Sequence, residues 1–143
     1  MGITKTVRYL VRKYNTRNPL EIAEAMGILI VFYPLKGVRG FYHYFRRNHI
    51  IYIDESLPEH MVKLVCAHEL GHMIYHRAAN AVFMDTRTQF TTQKYELEAD
   101  RFAVNLLISD YEIEEHLDFT TIQFSRLFGY NKQLIELRLR DFV

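Results

Sequence analysis

The chain has 143 residues, 49% of them hydrophobic and 14% aromatic, which excludes a disordered class and suits one domain with a real core. Eighteen Lys and Arg against seventeen Asp and Glu exclude the strong one-signed field that nucleic-acid binders carry. A single cysteine, Cys66, excludes an internal disulfide and fits a reducing cytosol; without a signal-peptide pattern or a bilayer-length apolar run, the expected place of work is the cytoplasm, away from membranes.

Thr4 to Tyr14 reads as a helix, and Asn18-Pro19 caps a second that ends near Gly27. Ile28 to Tyr33 is a short apolar run with β-branched residues, closed by Pro34, and predicts a buried strand. Gly40 to Phe45 and Ile50 to Ile53 predict a hairpin around Arg46-Arg47-Asn48. Ser56 with Glu59 three residues later predicts a capping box, with Pro58 in the first turn of a helix that runs unbroken to about His76.

That helix carries His68-Glu69-Leu70-Gly71-His72. Residues four apart lie about 40° apart around a helix axis, so both imidazoles can face one ion. Glu69 lies about 100° round from His68, beside such an ion without ligating it, where a carboxylate can take a proton from water. Met61, Leu64, Val65, His68, His72 and Tyr75 share one face. Histidines satisfied in a core are the ordinary explanation, but an apolar stripe has no need of two. Cys66 projects roughly opposite the histidines and reads as a small buried residue, not a ligand.

A catalytic zinc site takes three protein ligands and leaves one position open. His76 lies about 12 Å further along the helix than His68, too far to share the ion. His43, His49, His60 and His116 have no spacing argument. The remaining supplier is the acidic stretch Tyr95 to Leu107, which predicts the next long helix, after an aperiodic segment from Arg77 to Gln93 that reads as a loop rimming the cleft, with a partly helical segment as the alternative. On its wheel Glu96, Ala99, Asp100, Ala103 and Leu107 form one face, with small residues that permit close helix approach. Glu98, Arg101 and Asn105 form another that reads as solvated. Glu96 is therefore the expected third ligand, Asp100 an acceptor that holds a ligand histidine in its tautomer, and Glu98 a surface acid.

His68-Glu69-Leu70-Gly71-His72 followed by Glu96-Leu97-Glu98-Ala99-Asp100-Arg101-Phe102-Ala103 resembles the ImmA/IrrE family of small zinc metallopeptidases, most densely from Lys63 to Leu107. The Glu-x-x-x-Asp spacing is also similar to the broader gluzincin pattern. The resemblance implies an α+β, zincin-like domain over residues 1–143, mostly helical, with a small antiparallel sheet packed on the active-site helix. It implies zinc on His68, His72 and Glu96, with Glu69 as catalytic base. It also implies a protein substrate, typically a helix-turn-helix repressor of a phage or mobile element. In such folds a strand beside the active-site helix can take the substrate backbone as an added strand. The edge carrying Tyr42 and Tyr44, or its neighbour, is the candidate, with ordinary sheet packing an equal alternative.

Thr120 to Leu139 looks superficially like a helix-turn-helix with Gly129 in the turn. Its basic residues Arg126, Lys132, Arg138 and Arg140 are diluted by acids, so a pair of packing helices is the better reading. The leading expectation is an intracellular zinc protease. A partner-binding antirepressor with a structural or vestigial metal site is the alternative, and a DNA-binding regulator the third. Tyr95, His76, His43 and Tyr44 are the candidate donors to the oxyanion of a cleaving enzyme.

Overall fold

The first helix, α1 (Ile3–Tyr14), forms because Ile3, Val7 and Leu10 recur at helical spacing and are buried. It stops where Asn15 turns left-handed at φ 55°. The side chain of Asn18 accepts from Leu20 N–H at 3.0 Å and Pro19 opens α2 (Pro19–Ala25), as the sequence predicts. The computed structural model describes residues 2–76 and 89–142.

Three strands follow: β1 (Leu29–Tyr33), β2 (Gly40–Phe45) and β3 (Asn48–Asp54). β2 and β3 form the expected hairpin, turning on Arg46 and Arg47, both left-handed at φ 49° and 66°. β1 pairs with the other flank of β3, with Leu29 opposite Ile50, and it runs parallel. The sheet is therefore mixed, where a wholly antiparallel one was expected. The chain reverses twice between β1 and β3, so placing both side by side makes them parallel. β1 is also not the buried strand its apolar run suggests. It is an edge strand, with Leu29 55%, Phe32 48% and Tyr33 61% exposed, and the buried central residues are Ile51 and Ile53 of β3. Periodicity reports no position within a sheet.

α3 (Glu59–His76) packs across the sheet and against α4 (Gln89–Leu107), the most extensive helix pairing in the molecule. The expected Ser56–Glu59 capping box does not form. The carboxylate of Asp54, at the end of β3, instead takes the N–H and hydroxyl of Ser56 and the N–H of Leu35. The helix begins only at Glu59, so Ser56 lies ahead of the cap position, with its N–H and hydroxyl both taken by Asp54. Pro58 precedes the helix, its carbonyl accepting from Met61 and Val62. Residues 89–93 are helical; the rest of the segment read as a cleft-rimming loop, residues 77–88, lies outside the described residues.

Gly71 is where α3 and α4 meet. A Cβ there would come 3.1 Å from the Phe102 side chain and 3.2 Å from the backbone of Ala99. Gly71→Ala is expected to destabilise by about 1–3 kcal/mol by pressing apart the two helices that carry the site. Urea unfolding against wild type reads this; an unchanged midpoint would show that the helices have slack.

The last helices are α5 (Asp110–Glu114), α6 (Thr121–Phe128) and α7 (Lys132–Arg140). Ser109 with Glu112 and Thr120 with Gln123 form capping boxes, and Gly129, at φ 79°, ends α6. α6 and α7 are packing helices: Leu134, Ile135 and Leu137 are buried and α7 lies on α4. Arg138, one of the basic residues that a helix-turn-helix would expose, is 3% exposed and bonded to the Ile108 carbonyl and Asp110. The face of α4 read as solvated is covered in part, at Asn105, while Glu98 and Arg101 stay partly exposed. Asn105 is 5% exposed, and Arg101 and Asn105 both bond Asp141, beyond the end of α7. A wheel cannot foresee burial supplied by chain 40 residues away. Among the described residues no helix is long and apolar enough to cross a membrane.

Candidate metal centre

α3 and α4 bring together the four residues expected at one site. His68 Nε2 and His72 Nε2 lie 3.1 Å apart. The Glu96 carboxylate spans them, Oε2 at 2.9 Å from His68 and Oε1 at 2.8 Å from His72. Ligand atoms of a tetrahedral zinc site, at bonds of about 2.0–2.1 Å, stand roughly 3.3 Å apart. The three donors thus already converge on the spacing one ion requires, and two imidazole nitrogens with a carboxylate are a donor set suited to zinc.

Glu69 is set back, its nearer oxygen 3.9 Å from His68 Nε2. His68, Glu69 and His72 have ligating atoms within 4.8 Å of one another and could on distance alone be taken as the ligand triad. The contact distances favour Glu96 over Glu69 as the third donor, because Glu96 touches both imidazoles and Glu69 neither. Glu69 receives the backbone N–H of Tyr42 instead. Burial raises its pKa, against the lowering influence of His68 and His72. A carboxyl of raised pKa beside a metal site is a better proton acceptor and donor near neutrality than an ordinary one.

Asp100 stands one turn beyond Glu96, its Oδ1 2.8 Å from His68 Nδ1. A proton on Nδ1 leaves the Nε2 lone pair directed at the site. Burial pulls the His68 pKa down, but the hydrogen bonds to Asp100 and Glu96 outweigh it and raise it to about 10. Burial would raise that of Glu96, yet both imidazoles hold it well below the usual carboxylate range. Cys66 is fully buried, its thiol pushed up to about 12 by burial. It is the small core residue expected.

The other histidines are engaged elsewhere. His49 accepts from or donates to Tyr42 Oη at 2.7 Å, His43 stacks on Phe45, His60 lies against Gly129, and His116 stacks on Phe119. Of the oxyanion candidates, Tyr44 leans on His49, and Tyr95 and His76 pack on each other at 4.3 Å between ring centroids.

The site opens into a cleft of about 990 Å³ between β2 and α7, lined by Gly40, Phe41, Glu69, Tyr130 and Leu134 among others. Asp54 N–H bonds the Arg39 carbonyl, so the alternate positions 41, 43 and 45 face β3. Gly40, Tyr42 and Tyr44 turn their backbone groups outward. Gly40 was not singled out from sequence, although a glycine opening a strand signals close approach. A Cβ there would collide with the Val65 side chain and come 2.7 Å from the Tyr52 carbonyl. Its absence lets β2 lie against α3. Also unforeseen was α7 as the opposite wall.

Residues 23–140 match the IrrE N-terminal-like domain. The chain is 37% identical over 139 residues to uncharacterized immunity region protein 2 of Bacillus phage phi105, covering 95% of this chain and 88% of that protein. It is 28% identical over 136 residues to metallopeptidase ImmA of Bacillus subtilis strain 168, covering 94% of this chain and 75% of that protein. With the match running from α2 through α7 and both signature helices inside it, the chain belongs to the ImmA/IrrE-type family, that of the IrrE N-terminal-like domain.

Proposed function

We propose that the chain is a zinc-dependent endopeptidase, one domain over residues 1–143, that cleaves a specific regulatory protein in the cytoplasm. The observation that carries this reading is the convergence of His68, His72 and Glu96 with Glu69 held just outside them. Family membership suggests a metallopeptidase, and the phage immunity-region relative suggests regulation of a phage or mobile element. A helix-turn-helix repressor is the substrate this favours; near-zero net charge gives no reason to expect direct nucleic-acid binding.

Held by His68, His72 and Glu96, a zinc ion would supply a Lewis acid for the carbonyl and lower the pKa of water. The chain's own residues do the rest. The outward backbone groups of Gly40 and Tyr44 and the carbonyl of Tyr42, whose N–H is held by Glu69, take a substrate segment as an added strand along β2. Glu69 accepts a proton from the attacking water and passes it to the leaving amine. Asp100 keeps His68 in its ligand tautomer. The cleft side of α7 keeps the substrate against β2.

The test is co-incubation of the chain with any helix-turn-helix repressor that a neighbouring gene encodes, with and without chelator, reading fragments by mass. One defined cleavage, absent with chelator and with Glu69→Gln, supports the protease. Relief of repression that persists in Glu69→Gln without any fragment would make the chain a binding antirepressor.

A second expectation concerns protons. With its pKa near 10, metal-free His68 is protonated at neutral pH. A ligating imidazole must be neutral, so zinc uptake at pH 7 should release about one proton per site. The sign for the metal-free fold follows: a raised pKa stabilises fully below the unfolded value near 6.5 and the stabilisation is lost as pH climbs through about 10. Calorimetric titration in buffers of different ionisation enthalpy measures the release; none at pH 7 would contradict the charge assigned to His68.

A further inference from the structure

We propose that His76, backed by Glu98, is a positioning residue that holds His72 in the tautomer whose Nε2 faces the metal. The inference rests on the metallopeptidase reading and extends it to two residues that spacing alone had set aside.

His72 Nδ1 and His76 Nδ1 lie 3.0 Å apart. Two imidazole nitrogens at that distance share one proton, because two lone pairs repel and two N–H groups clash. A neutral His72 that offers Nε2 to a cation carries its proton on Nδ1, so it is His72 that donates and His76 that accepts. His76 then keeps its own proton on Nε2, a buried atom that makes no hydrogen bond among the described residues, and the Glu98 carboxylate stands near it with Oε1 at 3.8 Å, beyond hydrogen-bond distance. His76 is thus hydrogen-bonded to His72 on one side and faces the charge of Glu98 across 3.8 Å on the other. Its bond to His72 is the counterpart of the direct contact between Asp100 and His68.

Position in the fold makes the assignment specific. The His76 side chain is only 3% exposed, and its ring is packed against Tyr95 and Tyr75. It is therefore held beside His72 and shielded from water that could replace it. His68, His72 and His76 are spaced i, i+4, i+8 on α3, which brings the third ring against the second while keeping it too far from the first to ligate. Glu98 reaches His76 because α4 crosses α3 closely, a contact no helical wheel contains. A ligand histidine whose outer N–H is buried needs an acceptor, ordinarily a carboxylate, carbonyl or water. Here a neutral imidazole fills that place.

Two variants separate the acceptor from the ring. His76→Phe keeps an aromatic body against Tyr95 and removes the acceptor; His76→Gln loses the ring and keeps an acceptor in its side-chain carbonyl. Zinc affinity, read by competition with a chromophoric chelator, is expected to fall about 10–100-fold in the Phe variant and by less than about threefold in the Gln variant. In nitrogen-edited proton NMR of the zinc-loaded protein, the His72 Nδ1–H should exchange slowly in wild type and His76→Gln and rapidly in His76→Phe. Circular dichroism of the metal-free chains checks that both fold. Wild-type affinity in His76→Phe, or equal weakening in the two variants, would overturn the proposal. His72→Ala is the control for the underlying reading: if it binds zinc as wild type does, the metal site itself is wrong. Loss in His72→Ala with indifference at position 76 sinks only the positioning role.

Discussion

Glu69→Gln is expected to bind zinc as tightly as wild type and to cleave its substrate about 10²–10⁴-fold more slowly, the usual contribution of a positioned general base. The split between binding and cleavage follows from geometry. Glu69 stands 3.9 Å from His68 Nε2 while Glu96 bridges both imidazoles at 2.8 and 2.9 Å, so an amide at position 69 removes no ligand. It does remove the group that can exchange a proton, in a site where burial has raised that group's pKa. The amide still has an oxygen to accept the Tyr42 N–H, so β2 should keep its place. Cleavage assays under saturating zinc, beside a competition measurement of affinity, read the two quantities separately. Wild-type cleavage by the variant would remove Glu69 from the mechanism; lost zinc would make it a ligand.

Zinc should stabilise the wild-type fold and leave Glu96→Ala and His72→Ala almost untouched. At free zinc one hundred times the dissociation constant, binding to the folded state alone adds about 2.7 kcal/mol, which for a chain of this length raises Tm by on the order of 10 °C. Each substitution removes one of the three converging donors. His72→Ala leaves Glu96 and His68 as a pair too poor to hold the ion. Glu96→Ala also strips the carboxylate that compensates two imidazoles, so its metal-free melting point should fall as well. Thermal melts with zinc and with chelator make the comparison. An unshifted wild-type melt, or variants that shift as far as wild type does, would argue against a three-ligand site here.

Spacing along a single helix was legible without coordinates. His68, Glu69 and His72 needed only helical geometry to converge, and Glu96 with Asp100 needed only the small residues Ala99 and Ala103 on the same stripe of the next helix. The Asn18 cap, the hairpin of β2 and β3 and the turn at Gly129 were legible for the same reason, since each is set by neighbouring residues.

What spacing could not hold is who packs against whom. Ile28 to Tyr33 has the pattern of an interior strand, yet β1 is an edge, because strand order is settled by the sheet as a whole. Ser56 was suited to cap α3 but its N–H and hydroxyl are taken by Asp54. His76 was excluded as a ligand, and Glu98 with Asn105 assigned to solvent, from one helix at a time; only the crossing of α3 with α4 sets Glu98 beside His76, and Arg17 and Asp141, both distant in sequence, bond Asn105. The sequence by itself determined the faces on which His68, His72 and Glu96 lie, through covalent spacing and helical pitch. The tertiary structure alone decided their surroundings, because burial, edge position and the partner of each outer nitrogen arise from segments distant along the chain.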